Sequence, residues 1–297
     1  MEIMKYLGLL ALACALGYIL GKAKQKQSLH PHWGMVKKLA PDFEKRLSVL
    51  LNNLKDLTNR TVMTTTPGDR IVFAFAQIAV EDFLEILVLC REGYGIGALK
   101  SLRSLYEHAV TQAYISKEPA EAERFLDYHP INQGKVLNQA RELGQLEMFG
   151  LTSVQLADID EAYREAKGHY QETACKKCRT TRTQISWSKL SLVEMARKAD
   201  KFLHEMCTVL YLFPTFHTHS TVPAILSRVQ LGEHAGFKSN IEAQSEHVTS
   251  ALIGGHNLIL KVFDTTNTYF SLGMSSELEE RVHDFQKAWP QTKPVRE

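Results

Sequence analysis

The sequence is short of the features that usually announce a chemistry. Cysteine occurs five times, as Cys14, Cys90, Cys175, Cys178 and Cys207, an odd and scattered set. That excludes the even, closely spaced framework of a disulfide-stapled secreted domain and agrees with a reducing compartment. Charge of neither sign dominates: 35 Lys and Arg against 33 Asp and Glu leave a formal net charge of +2. No strong field for nucleic acid follows. There is no GxxxxGK(S/T), which excludes a P-loop, no GxSxG nucleophile elbow and no HExxH zinc helix. Gly93-Tyr94-Gly95-Ile96-Gly97 has glycines at the wrong intervals for a dinucleotide turn and follows a helical pattern, not a strand. No segment alternates as a sheet strand would, and no internal repeat or low-complexity tract is found.

What is present begins with one long apolar run. Ile3 to Gly21 reads IMKYLGLLALACALGYILG, with Lys5 its single charge, and Lys22, Lys24 and Lys26 follow at once. As a helix it covers roughly 28 Å, about the thickness of a hydrocarbon core. A signal peptide is the rival reading, but the small-residue triplets at Ala11 and Ala13 fall inside the run, and cutting there leaves too short an apolar core. The lysines lie mainly after the segment, which predicts an uncleaved anchor in the inner membrane with residues 22–297 in the cytoplasm. Lys22, Lys24 and Lys26 would meet lipid headgroups. The second basic run, Lys176, Lys177, Arg179 and Arg182, has no interleaved aromatics and reads as a solvated face.

The remainder predicts an all-α protein: an N-terminal transmembrane helix followed by a cytoplasmic helical bundle. Residues 1–27 are the anchor, 28–68 a juxtamembrane helical segment, 69–289 the helical domain and 290–297 a disordered tail. Phe43, Leu47, Leu50, Leu51, Leu54 and Leu57 form one stripe over 42–60. Residues 70–91 are apolar on most sides and predict a central helix that Asp69 can cap. With 98–116 it predicts an antiparallel hairpin across the Gly93–Gly97 turn. Residues 120–183 are more polar and read as a peripheral arm, with helices over 120–128, 133–143 and 152–174. Further helices are expected over 190–213, 239–270 and 275–288. Pro214 is expected to end the first of these, opening a loop from Thr215 to Thr221.

Ala98-Leu99-Lys100-Ser101-Leu102-Arg103-Ser104-Leu105-Tyr106-Glu107, Tyr114-Ile115, Glu118-Pro119 and Arg124-Phe125-Leu126-Asp127-Tyr128, with Trp187, Tyr211 and His219-Ser220 downstream, carry a resemblance. Over 82–128 and 187–220 the chain resembles the uncharacterised bacterial helical family catalogued as domain of unknown function 5677. The resemblance implies a helical fold. It implies for activity only an association with bacterial defence or stress components.

Three constellations carry candidate chemistry. Arg103 and Glu107 lie four apart on one helix face, among Leu99, Leu102, Leu105 and Val110. They read as a partly buried ion pair, or as a pocket that His219 closes for anion binding or acid–base work. Arg103 and His108 fit the Arg-x4-His spacing of metal-independent helical ribonucleases and resemble the HEPN group, in which Arg would stabilise phosphate charge and His transfer protons. The spacing recurs at Arg124/His129 and Arg164/His169, and on one helix it leaves the two side chains roughly 140° apart. Cys175, Cys178, His204 and Cys207 supply a CxxC and an HxxC that could hold a tetrahedral zinc, against the plainer reading of an exposed pair and a buried core cysteine. Glu81, Asp82 and Glu85 read as the polar face of a helix.

Two functions from different classes follow: a membrane-anchored sensing or interaction module, and a HEPN-like metal-independent ribonuclease. Membrane lipid is the expected partner of residues 3–21. A homo-oligomer is compatible with both functions, and nucleic acid belongs only to the second. The anchor is directly testable. The full chain is expected to pellet with membranes, and removal of residues 1–27 to release it to the soluble fraction. A soluble full-length chain, or an N-terminus processed near Ala15, would overturn the reading.

Overall fold

The computed structural model describes residues 36, 38–59, 62, 64–175, 178, 180–226, 229–231, 237–239 and 247–290. The expected anchor 1–27 and tail residues 291–297 lie outside the described residues. Among the described residues no helix is long and apolar enough to cross a membrane.

The order of elements is α1 (Pro41–Asn59), α2 (Pro67–Arg91), α3 (Gly95–Lys117), α4 (Glu121–Asp127), α5 (His129–Glu142), α6 (Ser153–His169), β1 (Gln171–Cys175), β2 (Thr180–Thr183), α7 (Leu192–Ala199), α8 (Lys201–Glu205), α9 (Phe213–Thr218), α10 (Val222–Leu226), β3 (Val229–Leu231), β4 (Phe237–Ser239), α11 (Val248–Phe270) and α12 (Ser275–Ala288). The fold is all-α in architecture. Its centre is the α2–α3 hairpin, and α11 packs along both helices.

Apolar periodicity explains the centre. Helix α2 buries Ile71, Val72, Phe75, Ala76, Ala79, Val80, Phe83, Ile86 and Leu87, more than one stripe, as a helix covered on several sides must. Helix α3 buries Leu99, Leu102, Leu105, Tyr106, Ala109 and Val110. Gly93, at φ +80°, makes the left-handed turn between them. Helix α11 approaches closely because it carries Gly254 and Gly255. A Cβ at Gly254 would stand 2.8 Å from Leu210 and 2.9 Å from Leu102, and one at Gly255 3.3 Å from Ile86 and Phe83. Gln112, wholly buried on α3, donates through Nε2 to Val72 O of α2 and Thr266 Oγ1 of α11, both at 3.0 Å. Helix α1 belongs to the same core: Phe43, Leu47, Leu50, Leu54 and Leu57 are buried, and α12 packs across α1 and α11.

Several local expectations change. Thr66, not Asp69, caps α2. Asp69 is the third residue of a capping box, and its Oδ2 accepts from Thr66 N at 2.8 Å and Thr65 N at 2.9 Å. Those backbone donors hold its carboxyl far below the usual range. Two short antiparallel ribbons, β1–β2 and β3–β4, occur where no strand was expected. The first begins inside the expected helix 152–174, after His169. Its described side chains are mostly exposed, so no inward–outward alternation marks it, and Arg182 pairs across to Glu172 at 2.6 Å. The second ends at Ser239, where the helix 239–270 was expected to start; the described helix begins at Val248.

The expected helix 190–213 is broken at Asp200. Its backbone is extended (φ −159°, ψ 131°) and its side chain caps α8 by accepting from Leu203 N at 3.0 Å. Burial raises the Asp200 pKa, but Lys261 at 2.8 Å and the Leu203 N–H outweigh it and leave it lowered. Nor does Pro214 end a helix. A π-helical turn, Thr208–Leu212, precedes it, and Pro214 sits in the first turn of α9, where its missing N–H costs nothing.

His256 on α11 is buried against Phe43 (5.2 Å) and Phe285 (5.0 Å), and its Nδ1 accepts from Trp289 Nε1 at 3.2 Å. Burial pulls its pKa from 6.5 down to about 3. The unfolded chain therefore takes up a proton that the folded chain refuses. Stability from this residue is complete above pH 6.5 and falls as pH drops towards 3, by about 1.4 kcal/mol per unit. His256→Gln keeps an acceptor for Trp289 and is expected to flatten that part of the acid limb, measured by urea unfolding between pH 7 and 4. An unchanged pH slope would show that His256 is not the neutral core group described.

Candidate functional site

Helix α3 positions Arg103, Glu107 and His108, since its buried stripe leaves them at its margins. Arg103 Nη2 lies 2.6 Å from Glu107 Oε1, the two side chains being 22 % and 35 % exposed. Arg103 Nε donates to Thr215 Oγ1 at 3.1 Å, and that hydroxyl donates to Tyr211 O at 2.7 Å. The guanidinium lies over the Tyr211 ring, 5.1 Å from its centroid, and Tyr211 stacks on Tyr106 at 5.8 Å and 22°. Tyr106 OH donates to Leu203 O at 2.6 Å, and burial keeps this phenol neutral by raising its pKa strongly. Arg103 thus joins α3 to α9 through a cation, a hydroxyl and two stacked rings.

Thr215, not His219, reaches Arg103 from the downstream segment. His219 caps the C-terminus of α9, is exposed, and makes no hydrogen bond, ion pair or ring contact with Arg103 or Glu107 among the described residues. The expected loop is helical from Phe213 to Thr218, and helical spacing turns His217 inward instead. His217 is buried, with its ring 5.3 Å from Phe213 and 5.4 Å from His247. The signal that could have found Thr215 is its place four residues after Tyr211, once Pro214 is read as a first-turn residue.

His108 faces the other way. Its Nδ1 lies 2.7 Å from Asp82 Oδ2 on α2, and its ring is 5.5 Å from Phe75. Asp82, expected on a polar face, is instead this partner. Arg103 and His108 are held by separate partners, as the ~140° between them on one helix requires.

The cysteine–histidine set does not converge among its described members. Cys178 is exposed near Thr180 Oγ1 at 3.3 Å, His204 is exposed on α8, and Cys207 is buried beside Tyr106. The Cys175 side chain lies outside the described ones. Among the described residues no group of three or more His, Cys, Asp or Glu could hold a metal ion.

Sequence reasoning missed a second polar node. Arg124 donates from Nε to Trp187 O at 2.6 Å and from Nη2 to Gln184 Oε1 at 2.8 Å. Tyr170 OH returns a bond to Arg124 O at 2.7 Å, and Tyr128 OH donates to Gln184 O at 2.7 Å. Phe125 packs edge-on to Trp187 at 5.2 Å. This node fixes the peripheral arm to the bundle.

Residues 69–237 match the family of unknown function DUF5677. The chain belongs to that family. The match spans more than half of the chain and takes in both nodes, Arg103–Glu107–Tyr211 and Arg124–Trp187. No curated protein and no solved structure matches the chain.

The Arg103 node is partly exposed, so screening limits the ion pair to a fraction of a kilocalorie, and the neutral bonds and stacking carry the rest. Arg103→Ala is expected to cost about 1–2 kcal/mol in chemical denaturation. Arg103→Lys keeps the charge but loses the Nε bond to Thr215, and is expected to recover less than half of that. Full recovery by Lys would mean that charge alone matters there.

Proposed function

We propose that the protein is an interaction module: a cytoplasmic helical domain, held at the inner membrane by residues 3–21, that receives a partner helix in a bacterial defence or stress response. One observation carries the reading. The outward face of α2, one of the core helices, leaves an open groove of Leu84, Val88 and Leu89 edged by Glu81 and Glu85. Ser101 Oγ of α3 donates to Glu85 at 3.3 Å and keeps that carboxylate at the groove. Apolar floor and acidic edge suit an amphipathic helix with an apolar stripe flanked by Lys or Arg. The tether rests on the apolar length of 3–21 and the lysines after it. The link to defence or stress rests on association alone.

The test uses the full chain in phosphatidylcholine nanodiscs, with empty discs subtracted, titrated with a synthetic 18-residue Leu/Lys amphipathic helix. Saturable binding is expected. Leu84→Asp with Val88→Asp is expected to weaken it at least tenfold without changing the melting temperature. Charge reversal, Glu81→Lys with Glu85→Lys, is expected to shift preference to a Leu/Glu peptide. Binding indifferent to all four changes would sink the proposal.

A second reading, the metal-independent ribonuclease, is favoured by one observation: Asp82 holds Nδ1 of His108, as an orienting carboxylate holds a proton-transferring imidazole. RNA cleavage in EDTA that is lost in His108→Ala with the fold intact would favour it over the interaction module.

A further inference from the structure

From Met206 to Ser227 the chain runs for 22 residues without an Asp, Glu, Lys or Arg. The same stretch exposes six large apolar side chains, Val209, Leu212, Phe213, Phe216, Val222 and Ile225, each between 40 % and 66 % exposed. Val209, Leu212, Phe213 and Phe216 follow the three-and-four spacing of one helical stripe, and Val222 and Ile225 repeat it on α10. Other exposed apolar residues are interleaved with charge: on α2, Leu84 and Val88 stand beside Glu81 and Glu85. The stretch from Met206 to Ser227 itself supplies none.

Three of its hydroxyls bond the main chain. Thr215 Oγ1 donates to Tyr211 O at 2.7 Å and Thr218 Oγ1 to Pro214 O at 3.1 Å, and Thr221 Oγ1 donates to Phe216 O. These three threonines satisfy themselves on the main chain, as Thr58 does on α1. An apolar phase, which offers no partners to a hydroxyl, accepts that arrangement. A protein partner would call for the opposite, a polar rim supplying about one hydrogen bond per 100–200 Å².

We propose that the face formed by Val209, Leu212, Phe213, Phe216, Val222 and Ile225 contacts lipid, seating the helical domain in the interfacial layer of the bilayer. The proposal rests on the reading that residues 3–21 tether the chain to that bilayer. The tether is short enough to require proximity. Only 14 residues separate Gly21 from Val36, at which the described chain begins, and fully extended they reach at most about 50 Å. A face buried roughly 5–10 Å into the headgroup and acyl boundary would take up Phe213 and Phe216, as aromatic residues of interfacial helices do.

The experiment uses the full chain in vesicles of phosphatidylcholine and phosphatidylglycerol. Cys14→Ala, Cys175→Ser and Cys178→Ser remove the thiols outside the buried Cys90 and Cys207. A polarity-sensitive fluorophore is then attached after Phe216→Cys, and in a second protein after Met148→Cys, on the peripheral arm. Flotation with the vesicles reports the tether separately. Expected are a blue-shifted label at position 216, quenched by bromine-bearing lipid tails, and an aqueous, unquenched label at position 148. An aqueous label at 216 in a chain that still floats overturns the lipid face and leaves the tether standing. Failure to float overturns both. A blue-shifted label that brominated lipid does not quench, with a cross-linked dimer, overturns the proposal in favour of a second copy on this face.

Discussion

The helical domain depends on how closely α11 can lie against the α2–α3 hairpin. Gly254 and Gly255 permit the approach, since a Cβ at either would press on Leu102 and Leu210 or on Phe83 and Ile86. Gln112 then fixes the depth and rotation of the seam. Its buried amide bonds α2 at Val72 and α11 at Thr266, so all three helices share one polar point in an apolar core. Packing alone would tolerate small slips along the seam. A buried amide group tolerates none, because its lost bonds cannot be replaced by water. Its Oε1 already lacks a partner among the described residues.

The candidate node of α3 is a consequence of that seam. Tyr106 enters the core beside α8 with its hydroxyl on Leu203 O, Tyr211 stacks on it, and Arg103 lies over Tyr211. Arg103 therefore sits where it does because two rings and a threonine hold it, and Glu107 only neutralises it from the solvent side. The Arg124 node works alike, with a guanidinium tied to main-chain and amide oxygens and laid over Tyr170. The motif residues that carry the family resemblance, Arg103, Tyr106, Glu107, Tyr211, Arg124, Phe125, Tyr128 and Trp187, gather at these two junctions. Their arrangement ties α3 to α9 and the peripheral arm to the bundle.

The core helices were legible because their apolar periodicity is strong: α1, the α2–α3 hairpin and α12 fall within a few residues of expectation. The Arg103–Glu107 pair was legible because i and i+4 always share a face. The geometry around it was not. Asp200 breaks a run whose apolar stripe continues unbroken, because an Asp can cap a new helix without disturbing periodicity. Pro214 signalled an end but served as a beginning, since a π turn absorbed the missing hydrogen bond. That one difference turned an extended loop into α9, brought Thr215 to Arg103 and left His219 outside. The first ribbon was invisible for another reason: paired backbone holds it, and its described side chains, mostly exposed, carry no hydrophobic signal.

The hydroxyl of Tyr269 donates to Asp69 Oδ1 at 3.0 Å, so the carboxylate that completes the first turn of α2 is itself completed from the far end of α11. The ribosome makes α2 and α3 long before it makes α11. At 5–20 residues per second, the roughly 130 residues between Lys117 and Val248 take on the order of ten seconds to synthesise. Through that interval Phe83, Ile86 and Leu102 have no third wall and Gln112 lacks one of its two acceptors. The nascent hairpin therefore carries an open apolar seam until α11 is made, and a chain terminated near residue 237, where the family match ends, would keep that seam permanently.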